Sequence, residues 1–365
     1  MRTKPSGPTP LCSDSEQPLV PGHPAIFLSC SRATGDALLA QETQLMFSKK
    51  RSHRPSPIVL SIALALILAL AVSACGDDKD DEDKVTPAPT EEVKLTLGLA
   101  VSTLQNPFFV SLRDGAQTAA DRLGVELVVK DAGDDAEQQN TQVQELIDAK
   151  VSAILVNPVD GDAIVPAIEA ANAANIPVLT IDRSASGGEI VSHVASDNLA
   201  GGRMAAEYLA ENLGGSGKVV ELQGIAGTSA AEARGAGFNE AIAGVEGIEV
   251  IARETANFNR DEGKAVFAQI LEAHEQIDGV FAHNDEMILG AIDAAKEAER
   301  AGGIRFVGFD AIEDAVAAVE TGDLLATIAQ QPAEMGRLGV EAAVDHLNGK
   351  TIPASLPVDL ALITK

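Results

Sequence analysis

From Lys94 to the end of the chain, short apolar runs alternate with alanine-rich stretches of helical spacing. Leu95, Leu97, Leu99 and Val101 open the series with the density of a strand covered on both faces. Asn106-Pro107 then reads as a helix start, with proline near the first helical position. The same reading predicts strands over 95–101, 126–129, 153–157, 177–182, 190–195, 218–223, 250–254, 279–282, 305–310 and 324–330. Helices are expected over 114–123, 136–149, 198–213, 230–243, 260–274, 287–301 and 334–348. Strict alternation implies an α/β chain with parallel sheets wrapped by helices. About ten strands exceed one small sheet, so two doubly wound parallel-sheet domains are expected. A single closed barrel is the alternative, but it needs eight repeats and would not favour a break near 195–199.

Ahead of this body the pattern changes three times. Residues 1–45 show no sustained periodicity and are rich in Pro, Ser and Gly, so no fold is assigned to them. A translation start at Met46 would make them a mis-assigned beginning. Over 46–74, Lys49, Lys50, Arg51 and Arg54 precede an uncharged apolar run that ends in Val72-Ser73-Ala74-Cys75. That is the pattern of an export signal with lipoprotein-type cleavage, the small residues entering a peptidase and the Cys75 thiol taking up diacylglycerol. Val72 stands where such signals more often carry leucine. An uncleaved anchor is the other reading, since about 17 apolar residues is at the short limit for a span. Residues 75–92 are dominated by Asp and Glu around Thr86-Pro87-Ala88-Pro89-Thr90 and read as a solvated, self-repelling tether. The expected location is the outer face of the cytoplasmic membrane, which is the periplasm where an outer membrane exists.

Composition narrows the chemistry. A formal net charge of -27 argues against nucleic acid as a partner, because phosphate recognition needs clustered Lys and Arg. Cys12, Cys30 and Cys75 all precede the first strand, leaving the folded part without disulfide or thiol chemistry. His193, His274, His283 and His346 have no metal-ligand spacing, so neither a metal nor a cofactor is expected. The loop over 224–229 lacks the lysine of a phosphate-binding loop and reads as a turn in which Thr228 or Ser229 caps the next helix.

Polar groups collect at the carboxyl ends of the predicted strands: Asn157-Pro158, Asp182-Arg183, His283-Asn284-Asp285, Asp310 and Gln330. Ligands bind at that edge in open α/β sheets. Any one of these residues could simply cap the following helix, but five converging groups point to a site. Phe108 and Phe109 lie just past the first strand, and Arg234 and Phe258 belong to the half of the chain that could reach the same cleft.

Seven stretches together resemble the ribose-binding proteins of bacterial ABC importers: Asn106-Pro107-Phe108-Phe109, Val156-Asn157-Pro158, Ile181-Asp182-Arg183, the loop over 223–229, the run over 281–287, Val307-Gly308-Phe309-Asp310 and Thr327-Ile328-Ala329-Gln330. The resemblance covers essentially 94–365. It implies a type I periplasmic binding protein fold, a two-lobed clamp crossed three times by the chain, near Ser196-Asp197, Gln330-Gln331 and Pro357-Val358. The first lobe would comprise 94–196 plus 331–357 and the second 197–330 plus 358–365. Sugar contacts implied for the first lobe are Asn106, Phe108, Phe109, Asn157, Asp182 and Arg183. Those implied for the second lobe and hinge are Arg234, Phe258, Asn284, Asp310 and Gln330. Beside them, Glu232, Ala233 and His283 depart from the family pattern. The implied partners of this monomer are D-ribose or a similar monosaccharide, an ABC importer permease and, as an open alternative, a chemoreceptor.

These residue types suit a sugar. Phe108 and Phe258 can cover the faces of a pentose ring, while ionised Asp182 and Asp310 accept, Arg183 and Arg234 donate, and the amides do both. Two other chemistries fit less well. A repressor core would carry a helix-turn-helix where this chain has an export signal. A glycosidase could use Asp182 and Asp310 as its carboxylate pair, but Arg183 beside Asp182 is expected to hold that group ionised, the wrong state for a general acid. A binding protein for another sugar or a furanose-like signal molecule stays closer.

Overall fold

The computed structural model describes residues 94–365, and the expectations for 1–45, 46–74, Cys75 and the tether lie outside the described residues. The strands are β1 Thr96–Val101, β2 Glu126–Asp131, β3 Ala153–Val156, β4 Val178–Ile181, β5 Ile190–Ser196, β6 Ser216–Gln223, β7 Gly247–Thr255, β8 Gly279–Ala282, β9 Arg305–Asp310, β10 Ala326–Ala329, β11 Ser355–Val358 and β12 Ala361–Thr364. They form two six-stranded sheets, ordered β11-β5-β4-β3-β1-β2 and β12-β10-β9-β8-β6-β7. The helices are α1 Pro107–Leu123, α2 Ala136–Asp148, α3 Val165–Ala173, α4 Asn198–Asn212, α5 Ser229–Ile242, α6 Arg260–Ala273, α7 Asp285–Glu297, α8 Glu313–Thr321 and α9 Pro332–Leu347. The first sheet carries α1, α2, α3 and α9, and the second carries the others.

Two apolar clusters cover each sheet, and strand alternation decides which residue joins which. In β1 and its neighbours, Leu97, Leu99, Val101, Leu155 and Ile181 face α1 and α9, while Ala100, Ile154, Val156 and Val178 face α2 and α3. In the second sheet Val220, Leu222, Val280 and Ala282 point to one side, and Val219, Phe281, Val307 and Ile328 to the other. A strand buried on both faces has no polar positions to alternate with, which is why these runs read as continuously apolar.

The chain leaves the first sheet after Ser196, returns after Ala329 and leaves again after Val358. Most predicted elements are present within a few residues of their expected bounds. Two helices, α3 and α8, and two strands, β11 and β12, were not among the expectations. The sheets are also not wholly parallel, because β12 pairs antiparallel with β10. β11 carries Pro357 at the sheet edge, where a missing N–H costs no ladder bond.

Candidate functional site

The predicted strand ends meet between the two sheets. β4 stops at Ile181, and the chain reverses through Asp182, whose φ of 62° is unusual for a residue with a side chain. The Arg183 amide donates back to the Ile181 carbonyl at 2.7 Å, closing a three-residue turn, while the Asp182 amide donates to Val194 at 2.7 Å. Both side chains are thereby turned inward, and each residue is 3% exposed. Asn157, at the end of β3, holds this turn: its Nδ2 donates to the Ile181 carbonyl at 3.1 Å and to Asp182 Oδ2 at 3.2 Å, and its Oδ1 accepts from the Ser102 amide at 3.2 Å.

From the second sheet, β9 ends at Asp310 and β10 is followed by Gln330, whose Nε2 donates to Asp310 Oδ1 at 2.8 Å. Arg234, on α5, donates from Nη1 to the His283 carbonyl at 2.6 Å and to Asp310 Oδ1 at 3.4 Å. Its Nε donates to Asn198 Oδ1 at 2.8 Å, and its guanidinium lies 3.9 Å from the centre of the Phe309 ring. Asn284 caps α7 by accepting from the Met287 amide at 3.0 Å, and its Nδ2 donates to the Phe258 carbonyl at 3.1 Å. That bond holds a turn in which Asn257 and Phe258 both have positive φ, 49° and 59°. The Phe258 ring lies over Gly224, where a Cβ would stand 2.1 Å from the ring, so the loop before α5 must carry glycine there.

Ten of the eleven residues expected from sequence line one small cavity of about 20 Å³. Asn157 is the exception, since its amide is spent on the Asp182 turn. Ala230, in the first turn of α5, lines the cavity and was missed, since a methyl group carries no polar signal. Phe109 and Phe258 flank the Arg183 guanidinium at 5.3 and 5.2 Å, and Phe108 meets Phe109 edge-on at 5.1 Å. Asn106 joins them by capping α1, its Oδ1 accepting from the Phe108 amide at 2.9 Å. A larger chamber of about 640 Å³ opens outward, sharing Asn106, Phe109, Arg183 and Phe258 with the inner cavity. The lobes also touch directly, the Ser184 amide donating to Ser229 Oγ at 2.9 Å.

Burial raises Asp182 from its ordinary carboxylate value, and Arg183 and Arg234 pull it back down. The nearest Arg183 Nε to Asp182 Oδ2 approach is only 3.9 Å. Asp310 is pushed up to about 7 by burial, offset in part by Arg234 and Gln330 and reinforced by the Asp182 charge. Behind Arg234, His283 accepts from the Gly224 amide on Nδ1 at 3.3 Å and meets Glu221 through Nε2 at 2.9 Å. The ring is therefore the Nε2–H tautomer, and burial lowers its basicity even with Glu221 beside it.

Three buried polar atoms of the cavity-lining residues have no partner among the described residues: Asp182 Oδ1, Arg183 Nε and Gln330 Oε1. Two acceptors and one donor, set beside aromatic rings, ask for a ligand that both donates and accepts and has apolar C–H surface.

Known proteins resemble this chain over most of its described length. The family model described as a periplasmic binding protein domain matches residues 97–351. The ribose import binding protein RbsB of Escherichia coli K12 is 48% identical over 272 residues, covering 74% of this chain and 91% of that protein. Its namesake from Bacillus subtilis 168 is 44% identical over 272 residues, covering 74% and 88%. Among solved structures, a periplasmic solute binding protein of an ABC transporter from Actinobacillus succinogenes 130z, with bound D-allose, superposes with a TM-score of 0.71 at 33% identity, covering 74% of this chain and 98% of that one.

Proposed function

The chain belongs to the periplasmic binding protein family, and on that footing we propose that it is an exported, lipid-anchored component of an ABC importer that closes on D-ribose or a close pentose and delivers it to the permease. Three partnerless polar atoms, Asp182 Oδ1, Arg183 Nε and Gln330 Oε1, lining one cavity between two lobes, carry the reading. A pentose presents several hydroxyls around its rim, each of which can accept one bond while donating another, so that together they can take up the arginine N–H and the two oxygens. Charge-assisted bonds of this kind are worth about 1.5–3 kcal/mol each, so a sugar with a missing or inverted hydroxyl leaves a buried group unpaired and is rejected.

Both lobes supply ligand groups, so only the closed form lets all of them bond, and the sugar shifts the equilibrium by its preference for that form. Binding without turnover follows, in keeping with relatives that are named for sugar import. Lipidation at Cys75 would leave the acidic tether to hold the lobes clear of the membrane, and the closed pair of lobes is what a permease would recognise. A second reading, a hexose such as allose, is favoured by the likeness to the allose-bound structure.

Calorimetric titration of the chain with D-ribose, arabinose, xylose, allose and galactose tests this. One-to-one binding of ribose, with the others weaker by orders of magnitude, is expected. Preference for allose would move the assignment to the second reading, and binding of none of them would remove the sugar.

A further inference from the structure

Asp285 is a buried acidic group at the β8 terminus that the sugar-binding role leaves unused. It is the first residue of α7, directly after Asn284, and is fully buried. Its Oδ1 accepts from the Thr327 hydroxyl at 2.8 Å and its Oδ2 from the Ile312 amide at 3.0 Å. The Thr327 oxygen accepts in turn from the Ala311 amide at 3.2 Å. Thr327 pairs with Gly308 across the β9–β10 ladder, and a Cβ at Gly308 would stand 2.1 Å from Asp285 Oδ1. Glycine on β9 is what admits the carboxylate.

The two amides held in this way follow Asp310, and the backbone between them is strained. Asp310 has a φ of 116° and Ala311 one of 56°, two consecutive residues with side chains in the region that favours glycine. Such conformations cost roughly 1–3 kcal/mol apiece and persist only where the surroundings over-determine them. At this turn the over-determination comes from Asp285 and Thr327. The strained residue is also the acceptor shared by Arg234 and Gln330.

We propose that Asp285 and Thr327 form a positioning clamp, outside the sugar cavity, that fixes the Asp310 turn and so aims its carboxylate at the ligand. The clamp rests on the pentose-binding reading above. Its residues touch no ligand; they act through Asp310. Loss of the Thr327 hydroxyl frees the Ala311 amide and lets the turn relax, which misplaces the carboxylate without removing it.

The test is a double-mutant cycle in the full chain, with D-ribose titrated calorimetrically and melting followed in parallel. Thr327→Val is expected to raise Kd about tenfold or more, while Thr327→Ser, which keeps the hydroxyl, stays within about twofold of wild type. Asp310→Asn retains an acceptor oxygen and hence measurable binding. In that background Thr327→Val should raise Kd by a clearly smaller factor than in the wild-type chain while still lowering the melting temperature, because the charge-assisted part of the bond that the clamp aims is already gone. Equal losses in both backgrounds, or an unchanged Kd in the wild-type background, overturn the clamp alone. If Thr327→Val does not fold, Thr327→Ala carries the same cycle without a methyl against the carboxylate. A wild-type chain that binds no pentose overturns the pentose reading and the clamp's role together.

Discussion

Asp310 carries opposite pH signatures for stability and for binding, which makes it the most informative single residue. In the sugar-free chain burial holds it at about 7, against about 3.9 for an unfolded aspartate. The folded state therefore keeps a proton that the unfolded state has lost. Its contribution to stability is present at the acid end of that window and is lost as pH rises through 7. Sugar hydroxyls donating to the carboxylate favour its ionised form, so binding releases protons near neutrality. Affinity should then weaken as pH falls from 8 to 6, by up to about tenfold per unit below 7. His193 and His283, both held below their ordinary range chiefly by burial, also titrate toward acid. The quantity to read is thus the difference between wild type and Asp310→Asn. Melting temperature should rise toward acid more in wild type, and proton release on ribose binding, read by calorimetry in buffers of different ionisation enthalpy, should vanish in the variant. Equal slopes in the two proteins would mean that Asp310 keeps one charge state throughout.

At the scale of elements, the start of α7 joins fold and site. Asn284 caps the helix through Oδ1 and holds the Phe258 turn through Nδ2, so its two functions separate by substitution. Asn284→Asp keeps an acceptor for the Met287 amide and loses the donor to Phe258, and should weaken ribose binding about tenfold with little change in melting temperature. Asn284→Ala loses both and should also cost about 1 kcal/mol of stability, measurable by urea denaturation. Equal stability losses in the two variants would show that the cap does not depend on the oxygen. The elements legible in the sequence were those with a one-body signal. β1 reads as buried because both its faces are apolar, and α1 reads from Asn106-Pro107. α3 and α8 were lost because VPAIEAANA and EDAVAAVET are short, and α3 offers little contrast between its faces. β12 owes its place to an antiparallel partner distant in the chain, Ala326–Ala329, which no local pattern encodes. Site residues followed the same division. Strand-end polar groups were visible by type and position, but which of them faces the ligand depends on pairings such as Asn157 with Asp182, a three-dimensional fact.

For the whole molecule the equilibrium proposed here is between open and closed lobes, and Ser229 lets it be probed away from the sugar. Its Oγ accepts from the Ser184 amide across the lobes at 2.9 Å, while Thr228, not Ser229, caps α5 by accepting from the Ala231 amide at 3.4 Å. Removing the Ser229 hydroxyl should therefore leave the helix and every sugar contact in place and remove a bond that exists only when the lobes meet. Ser229→Ala is expected to weaken ribose binding by about 2- to 10-fold, the worth of one ordinary hydrogen bond at about 0.5–1.5 kcal/mol. The loss should fall on dissociation, because the bond forms after the sugar has entered the cleft. The compact dimensions reached at saturating ribose, read by small-angle scattering, should match wild type, since ligand in excess restores the closed population. Unchanged dissociation would mean that the Ser184–Ser229 bond is present with the lobes apart as well, and that closure is carried by the sugar-bridged groups alone.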